Sequence, residues 1–393
     1  MCGAELKNLP EGVQRVAAAL QAHYDAHCAD VDAGFETLLD PYGAEAIEEF
    51  FPVAAEAFFV APHGLALDAA LIHSGSLLVD APQAFGDYRP VNFDPAFNGP
   101  VSVAEALRLS LNVPAVDLLD RVGPERFTAR LAHGGVGLRL PRGAKPNLSI
   151  ILGGTGTRLE ELVGAYAAFN RAGLAGQVRY TPDAPLRERR LLSEGSAWIV
   201  REILEQHGRP GLREGVVDAS RRQRVAWKTG TSYGFRDAWA IGSTTRYTVG
   251  VWVGRPDGTP LPGQYGAITA LPLLFEVIDG LPRDPRDGQR PPMPASVEKH
   301  DICWPLGLPP DPQAPGLCHR RREAFTLAGQ LPPTLPEREA RTWGAGRLAI
   351  DVDARSGQRL SASCRGNPER SRREIARWPS LAAPWLPAAE RRA

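Results

Sequence analysis

The sequence predicts an α+β fold, with helices packed on an antiparallel sheet and a small β-rich module following it. Three observations carry this. Apolar residues recur at helical spacing through much of residues 60–208. The period then switches to two across residues 224–254, where successive strands are joined by short links and must pair antiparallel. Helices first and a strand meander later are the pattern of an α+β domain. A Pro-rich break at 281–297 precedes further strand-like text.

In chain order, residues 1–60 stand apart. They hold eleven acidic residues against Lys7 and Arg15, and although VQRVAAALQAHYDAHC has helical spacing, the segment carries no motif. GLALDAALIHSG reads as a helix ending at Gly75. SVAEALRLSLNVPAVDLLDRVG reads as a helical region interrupted at Pro114, with Ser102 and Glu105 forming a capping box at its start. LEELVGAYAAFNRAG is an amphipathic helix closed by Gly173, and SEGSAWIVREILEQHG is one capped at Ser193 and stopped at Gly208. RVAWKTGTS, DAWAIGST and YTVGVWVG are strands. The expected organisation is an atypical segment at 1–60, a helix-and-sheet domain at 61–280, a linker at 281–297 and a β-rich module at 298–393 containing RLAIDVD and QRLSASC.

Composition excludes several classes. Lys plus Arg equals Asp plus Glu at 45 each, so no net field points to nucleic acid or an anionic surface. No uninterrupted apolar run is long enough to span a bilayer, and the N-terminus lacks the basic and apolar regions of a secretory signal, so the text as it stands predicts a soluble, unexported chain. The eight histidines show no metal-ligand spacing, and no C-x-x-C occurs. Cys303 and Cys318 bracket a Pro-rich segment; a disulfide and a pair of buried thiols both fit that spacing. The run Gly153-Gly154-Thr155-Gly156-Thr157 lacks the Lys of a phosphate-binding loop and reads as a turn.

Two features carry chemistry. Lys228-Thr229-Gly230-Thr231-Ser232 lies on a predicted strand. A lysine among apolar strand residues needs a partner or a task, Gly230 permits close backbone approach, and the hydroxyls add donors. Together they suit an extended peptide with a carboxylate, whereas the plainer reading is a charged edge strand that blocks aggregation. Ser110-Leu111-Asn112 places a hydroxyl and an amide on one turn, suited to proton relay and amide recognition, or simply to local backbone bonding.

In this order the two motifs match the S-x-N and K-T-G elements of penicillin-binding proteins and serine β-lactamases. KTGTSYGFRDAWAIGSTTRYTVGVWVGRPDGTP, VNFDPAFNGPVSVAEALRLSLNVPAVDLLDRVG and LGGTGTRLEELVGAYAAFNRAG resemble class A penicillin-binding proteins. DICWPLGLPPDPQAPGLCHRRREAFTLAGQLPPT resembles the C-terminal module of their 1C type. The resemblance covers about residues 64–393. It implies a D,D-transpeptidase fold, peptidoglycan stem peptides and β-lactams as ligands, no cofactor and no metal. It further implies cell-wall protein partners through the C-terminal module and a periplasmic, membrane-anchored setting. It assigns Ser110 to proton relay, Asn112 to the substrate amide and Lys228 to positive potential. Thr229, Gly230 and Thr231 would line the carboxylate and oxyanion sites.

One element of the pattern is missing. Such enzymes place an S-x-x-K nucleophile just ahead of the helix that here begins near Gly64, where this chain has Phe51-Pro52-Val53-Ala54-Ala55-Glu56-Ala57-Phe58-Phe59-Val60. The only S-x-x-K is Ser296-Val297-Glu298-Lys299, downstream of K-T-G. The chain therefore reads as inactive, with a non-catalytic peptide-binding module and a β-lactamase-like hydrolase as the rivals. Residues 1–60 read either as out-of-frame text or as a degenerate relative.

Overall fold

The computed structural model describes residues 60–94, 96–140, 143–209, 223–255, 257–283, 287–338, 346–361, 369–388 and 390; the atypical segment 1–59 lies outside them. They form an α+β protein whose sheets are all antiparallel. The chain divides into two compact units that do not follow sequence order.

The first unit takes the described residues of Gly123–Leu191 and Leu212–Gln289. Its helices α4 (Pro124–His133) and α5 (Leu159–Tyr166) precede a short pair β3 (Leu174–Gly176) and β4 (Glu188–Arg190). Strands β5 (Ala226–Thr231), β6 (Asp237–Ser243) and β7 (Thr248–Gly254) follow in that spatial order, so among the described residues β5 is an edge, and α7 (Ala270–Gly280) comes after them. The sheet is covered on both faces. A Cβ on Gly242 would meet Leu274 and Ile278 of α7, and one on Gly250 would meet Leu159 and Val163 of α5. Because Gly250 registers with Ile241, the neighbour of Gly242, these contacts lie on opposite faces. Val225, Trp227, Ala238, Ala240 and Val251 join α7 in the core of one face.

The second unit takes Phe59–Val122, Leu192–Gly211 and Arg290–Ala393. It holds α1 (Val60–Asp68), the pair β1 (Leu77–Asp80) and β2 (Gly99–Ser102), α2 (Val103–Arg108), α3 (Asn112–Val122) and α6 (Glu194–Glu205). Two further strand pairs belong to it: β8 (Val297–Pro305) with β9 (Cys318–Leu327), and β10 (Arg347–Asp353) with β11 (Arg370–Ala376). The β-rich text is thus built into the body that carries the N-terminal helices. Leu77 packs with Ile302, Trp304, Ala324, Trp378 and Leu386. The buried Trp304 indole donates to the Gly75 carbonyl at 2.8 Å, and the Phe325 N–H donates to the Ser74 hydroxyl at 2.7 Å. The expected linker is also tied down at its end: Arg290 pairs with Glu202 at 2.9 Å, and the Pro291 carbonyl accepts from the Trp198 indole. Prolines there shape the backbone rather than release it. Cys303 and Cys318 are joined by a disulfide across 15 positions.

Several boundaries differ from the sequence reading. The helix expected to end at Gly75 ends at Asp68, and Ala70 adopts a positive φ just after it. The helical region is broken at Leu109–Leu111, not at Pro114; Pro114 sits in the first turn of α3, where no intrahelical N–H is lost. Ser102 and Glu105 form the capping box, and Ser193 caps α6. The partner of RLAIDVD is RSRREIA (β11), not QRLSASC, whose residues 362–364 lie outside the described set. Among the described residues no helix is long and apolar enough to cross a membrane.

Candidate functional site

The two motifs are built by different means. Lys228, Thr229, Gly230 and Thr231 sit on β5, whose register places Lys228 opposite Ile241, Thr229 opposite Ala240 and Gly230 opposite Trp239. Alternation puts Lys228 and Gly230 on one face and the two threonines on the other, all on the same strand. Lys228 is only 3% exposed, and its Nζ donates to the Thr229 carbonyl at 2.8 Å. Burying an ammonium is costly unless its donors are met, so the strand must hold this lysine with partners in place.

The end of this strand is clamped. The Ser232 hydroxyl donates to Asp237 Oδ2 at 3.0 Å and accepts from the Asp237 N–H, while the Trp252 indole donates to Oδ1 at 2.7 Å. Burial raises the Asp237 pKa, and the bonds from Trp252 and Ser232 partly oppose this. Thr231 Oγ1 accepts from the Gly266 N–H at 3.1 Å. Gly266 lies against the strand backbone: a Cβ there would sit 2.5 Å from the Gly230 carbonyl and 2.6 Å from that of Trp239. The loop after β7 therefore packs on the K-T-G strand through a position that only glycine fills.

Ser110 and Asn112 lie in the second unit, on the turn between α2 and α3. Ser110 is half-buried with φ 55°, a left-handed conformation that turns the chain sharply between the helices. Asn112 opens α3 and is buried. Its side-chain nitrogen donates to the Val91 carbonyl at 2.7 Å; since a carbonyl can only accept, the amide orientation is fixed. Its backbone N–H, an unpaired donor at a helix start, donates to Asn92 Oδ1 at 2.9 Å. Asn92 Nδ2 in turn donates to both oxygens of Asp80, at 2.9 and 3.0 Å. Asp80 is fully buried, and its Oδ2 also accepts from the Asn98 backbone and side-chain nitrogens, each at 2.8 Å. What remains of the Asn112 carboxamide is Oδ1, buried and without a hydrogen-bond partner. An unmatched acceptor suits a ligand N–H. Asp80, Asn92 and Asn98 escaped the sequence reading, and their only signal was the Asn and Asp spacing in VNFDPAFN.

The S-x-x-K match is ruled out as a catalytic pair by its setting. Ser296 leads directly into β8, and Lys299 is within it, paired with Glu323 at 2.6 Å on the surface. A serine and a lysine three apart meet on a helix, whereas here Ser296 stands in a turn and Lys299 on the strand that follows it. Phe51–Phe59 lie outside the described residues.

Comparisons with known proteins bear on both ends of the chain. Residues 296–326 match the family model described as Penicillin-binding protein 1C linker domain, and 341–393 match Penicillin-binding protein 1C, second linker domain. Residues 6–73 match Glucose-regulated metallo-peptidase M90. The chain is 48% identical over 338 residues to Penicillin-binding protein 1C of Escherichia coli K12, covering 84% of this chain and 42% of that protein. It is 28% identical to Penicillin-binding protein 1F of Bacillus subtilis 168, over 50% of this chain and 29% of the relative. The chain thus spans less than half the length of these relatives. In fold it is similar to Penicillin-Binding Protein 1A from Haemophilus influenzae, with a TM-score of 0.54 and 19% identity. That match covers 72% of this chain and 48% of the other.

Proposed function

We propose, for a chain that belongs to the class A penicillin-binding proteins of the 1C type, that it holds peptidoglycan stem peptides without cross-linking them. The transpeptidase lineage supplies the peptide-binding groups. Ser110 and Asn112 would contact the peptide amide, and Lys228 with Thr229, Gly230 and Thr231 would receive its carboxylate end. The observation that carries this reading is the buried Lys228 on a strand that is an edge among the described residues. A strand edge offers backbone groups to an extended peptide, and the ammonium offers a counter-charge. No serine or lysine stands in Phe51–Val60 to attack a carbonyl. Without a nucleophile the remaining groups can bind and orient but cannot form an acyl-enzyme.

Fluorescent penicillin and a D-Ala-D-Ala-ended peptide test this together. The expected result is no covalent band on a denaturing gel, with reversible peptide binding that Lys228→Ala weakens at least about ten-fold, the loss of a charge-assisted bond. A covalent band would show that a nucleophile exists, and peptide binding unaffected by Lys228→Ala would remove the K-T-G strand from the site. For residues 1–60 we propose in-frame text of another lineage joined ahead of this one. The match across residues 6–73 supports this over out-of-frame translation, which leaves no family pattern. Independent reads of the gene that shift the frame near Gly64 would overturn it.

A further inference from the structure

The loop that fixes Asn112 has a second neighbour. Trp385, at the end of the 3-10 turn Ser380–Trp385, donates its indole N–H to the Phe97 carbonyl at 3.0 Å. Its Cβ and Cγ also fill the space beside Gly99, where an added Cβ would lie 2.4 Å from each, at a φ of +70°. Asn98, between these two contacts, is the residue that gives Asp80 two of its hydrogen bonds. Trp385 is 36% exposed, too open to be explained by core packing alone. Its neighbour Leu386 is buried with Leu77 and Trp304, which anchors the segment.

We infer that Trp385 is a positioning residue for the S-x-N turn, acting through Phe97, Asn98, Asp80 and Asn92 on the backbone N–H of Asn112, and so on the start of α3 that presents its carboxamide. The C-terminal module then does more than connect. It seats the loop whose amides, gathered on the Asp80 carboxylate, hold the N–H that opens α3 at Asn112. Asp80 accepts two bonds from Asn98 and two from Asn92, and a single bond then joins Asn92 to the Asn112 N–H, so a shift at Phe97 passes through fixed donors and acceptors before it reaches Asn112. That this turn holds a peptide rests on the reading above, whereas the seating by Trp385 does not. A failed peptide titration leaves the present test intact.

The test uses the full chain labelled with 15N-asparagine, whose seven asparagines give a sparse spectrum. Trp385→Phe keeps a ring against Gly99 and removes only the N–H. It is expected to move the side-chain amide signals of Asn98, Asn92 and Asn112 and leave those of Asn147 and Asn170 in place. Exchange of the Asn112 backbone N–H should quicken about five-fold, the effect of one lost hydrogen bond on local opening. Trp385→Ala should enlarge both changes; if it does not fold, Trp385→Phe decides. Val352→Ala, in the β10–β11 pair, controls for general loosening of the unit. The inference is overturned if Asn98 moves in Trp385→Phe while Asn92 and Asn112 stay. It is equally overturned if Val352→Ala moves the same signals as far.

Discussion

The K-T-G strand and the S-x-N turn are both three-residue motifs, yet the forces holding them differ in range. Lys228 to Thr231 are placed by strand register, with β6 as immediate neighbour in sequence and a clamp from Ser232 to Asp237 five residues on. Asn112 is placed by side chains twenty and more residues away, through a buried carboxylate that no local pattern announces. Backbone ladders tolerate change in any one side chain; a relay of single side chains does not. The two motifs should therefore fail differently.

Asp80→Ala sharpens that contrast most. It removes the acceptor for Asn92 and Asn98 from a fully buried position, leaving donors unmatched, and should lower stability by about 3 kcal/mol in urea unfolding. It should also abolish the exchange protection of the Asn112 N–H. If that protection survives, Asn112 is held locally after all and the contrast collapses. On the strand side, the largest single effect should be steric. Gly266→Ala drives a methyl into the carbonyls of Gly230 and Trp239 and should destabilise by about 2 kcal/mol, without changing the Asn112 signals.

The smallest expected effect separates the clamp from the ladder by pH. Because burial raises the Asp237 pKa above 3.8, the folded chain holds that proton more firmly than the unfolded one. Its contribution to stability is complete below pH 3.8 and is lost as pH rises through the folded value. Trp252→Phe deletes a donor to the ionised carboxylate, so the folded value should climb further. The variant should lose about 1.5 kcal/mol at neutral pH and less in acid. A pH series of unfolding curves checks this, and a loss of equal size at both ends would mean that Trp252 acts through packing alone.

What the sequence made legible follows the same division. The capping box at Ser102 and Glu105, the cap at Ser193 and the three strands β5–β7 were readable because their signals lie within a few residues of one another. The end of α1 was misjudged, since apolar text from Leu71 to Gly75 serves contacts with β8 and β9 rather than another helical turn. β11 was hidden because RSRREIA lacks an apolar alternation, most of it facing solvent. Of the site, the motif residues were legible and their supports were not: neither Asp80 nor Gly266 stands near the motif it holds.

The cross-link between Cys303 and Cys318 has a consequence for where this architecture is complete. It closes a loop across 15 positions, a constraint on the denatured chain of about 3 kcal/mol. Cys303 immediately precedes Trp304, which packs with Leu77 and Leu386. Thiols kept reduced by a cytosolic glutathione pool would leave that seat without its staple, whereas an oxidising compartment supplies it. The oxidation state of two cysteines in the C-terminal strands is therefore a maturation input for the wall on which Trp385 and the loop before Gly99 rest. The chain reaches its full rigidity only after a chemical step that its own fold does not perform.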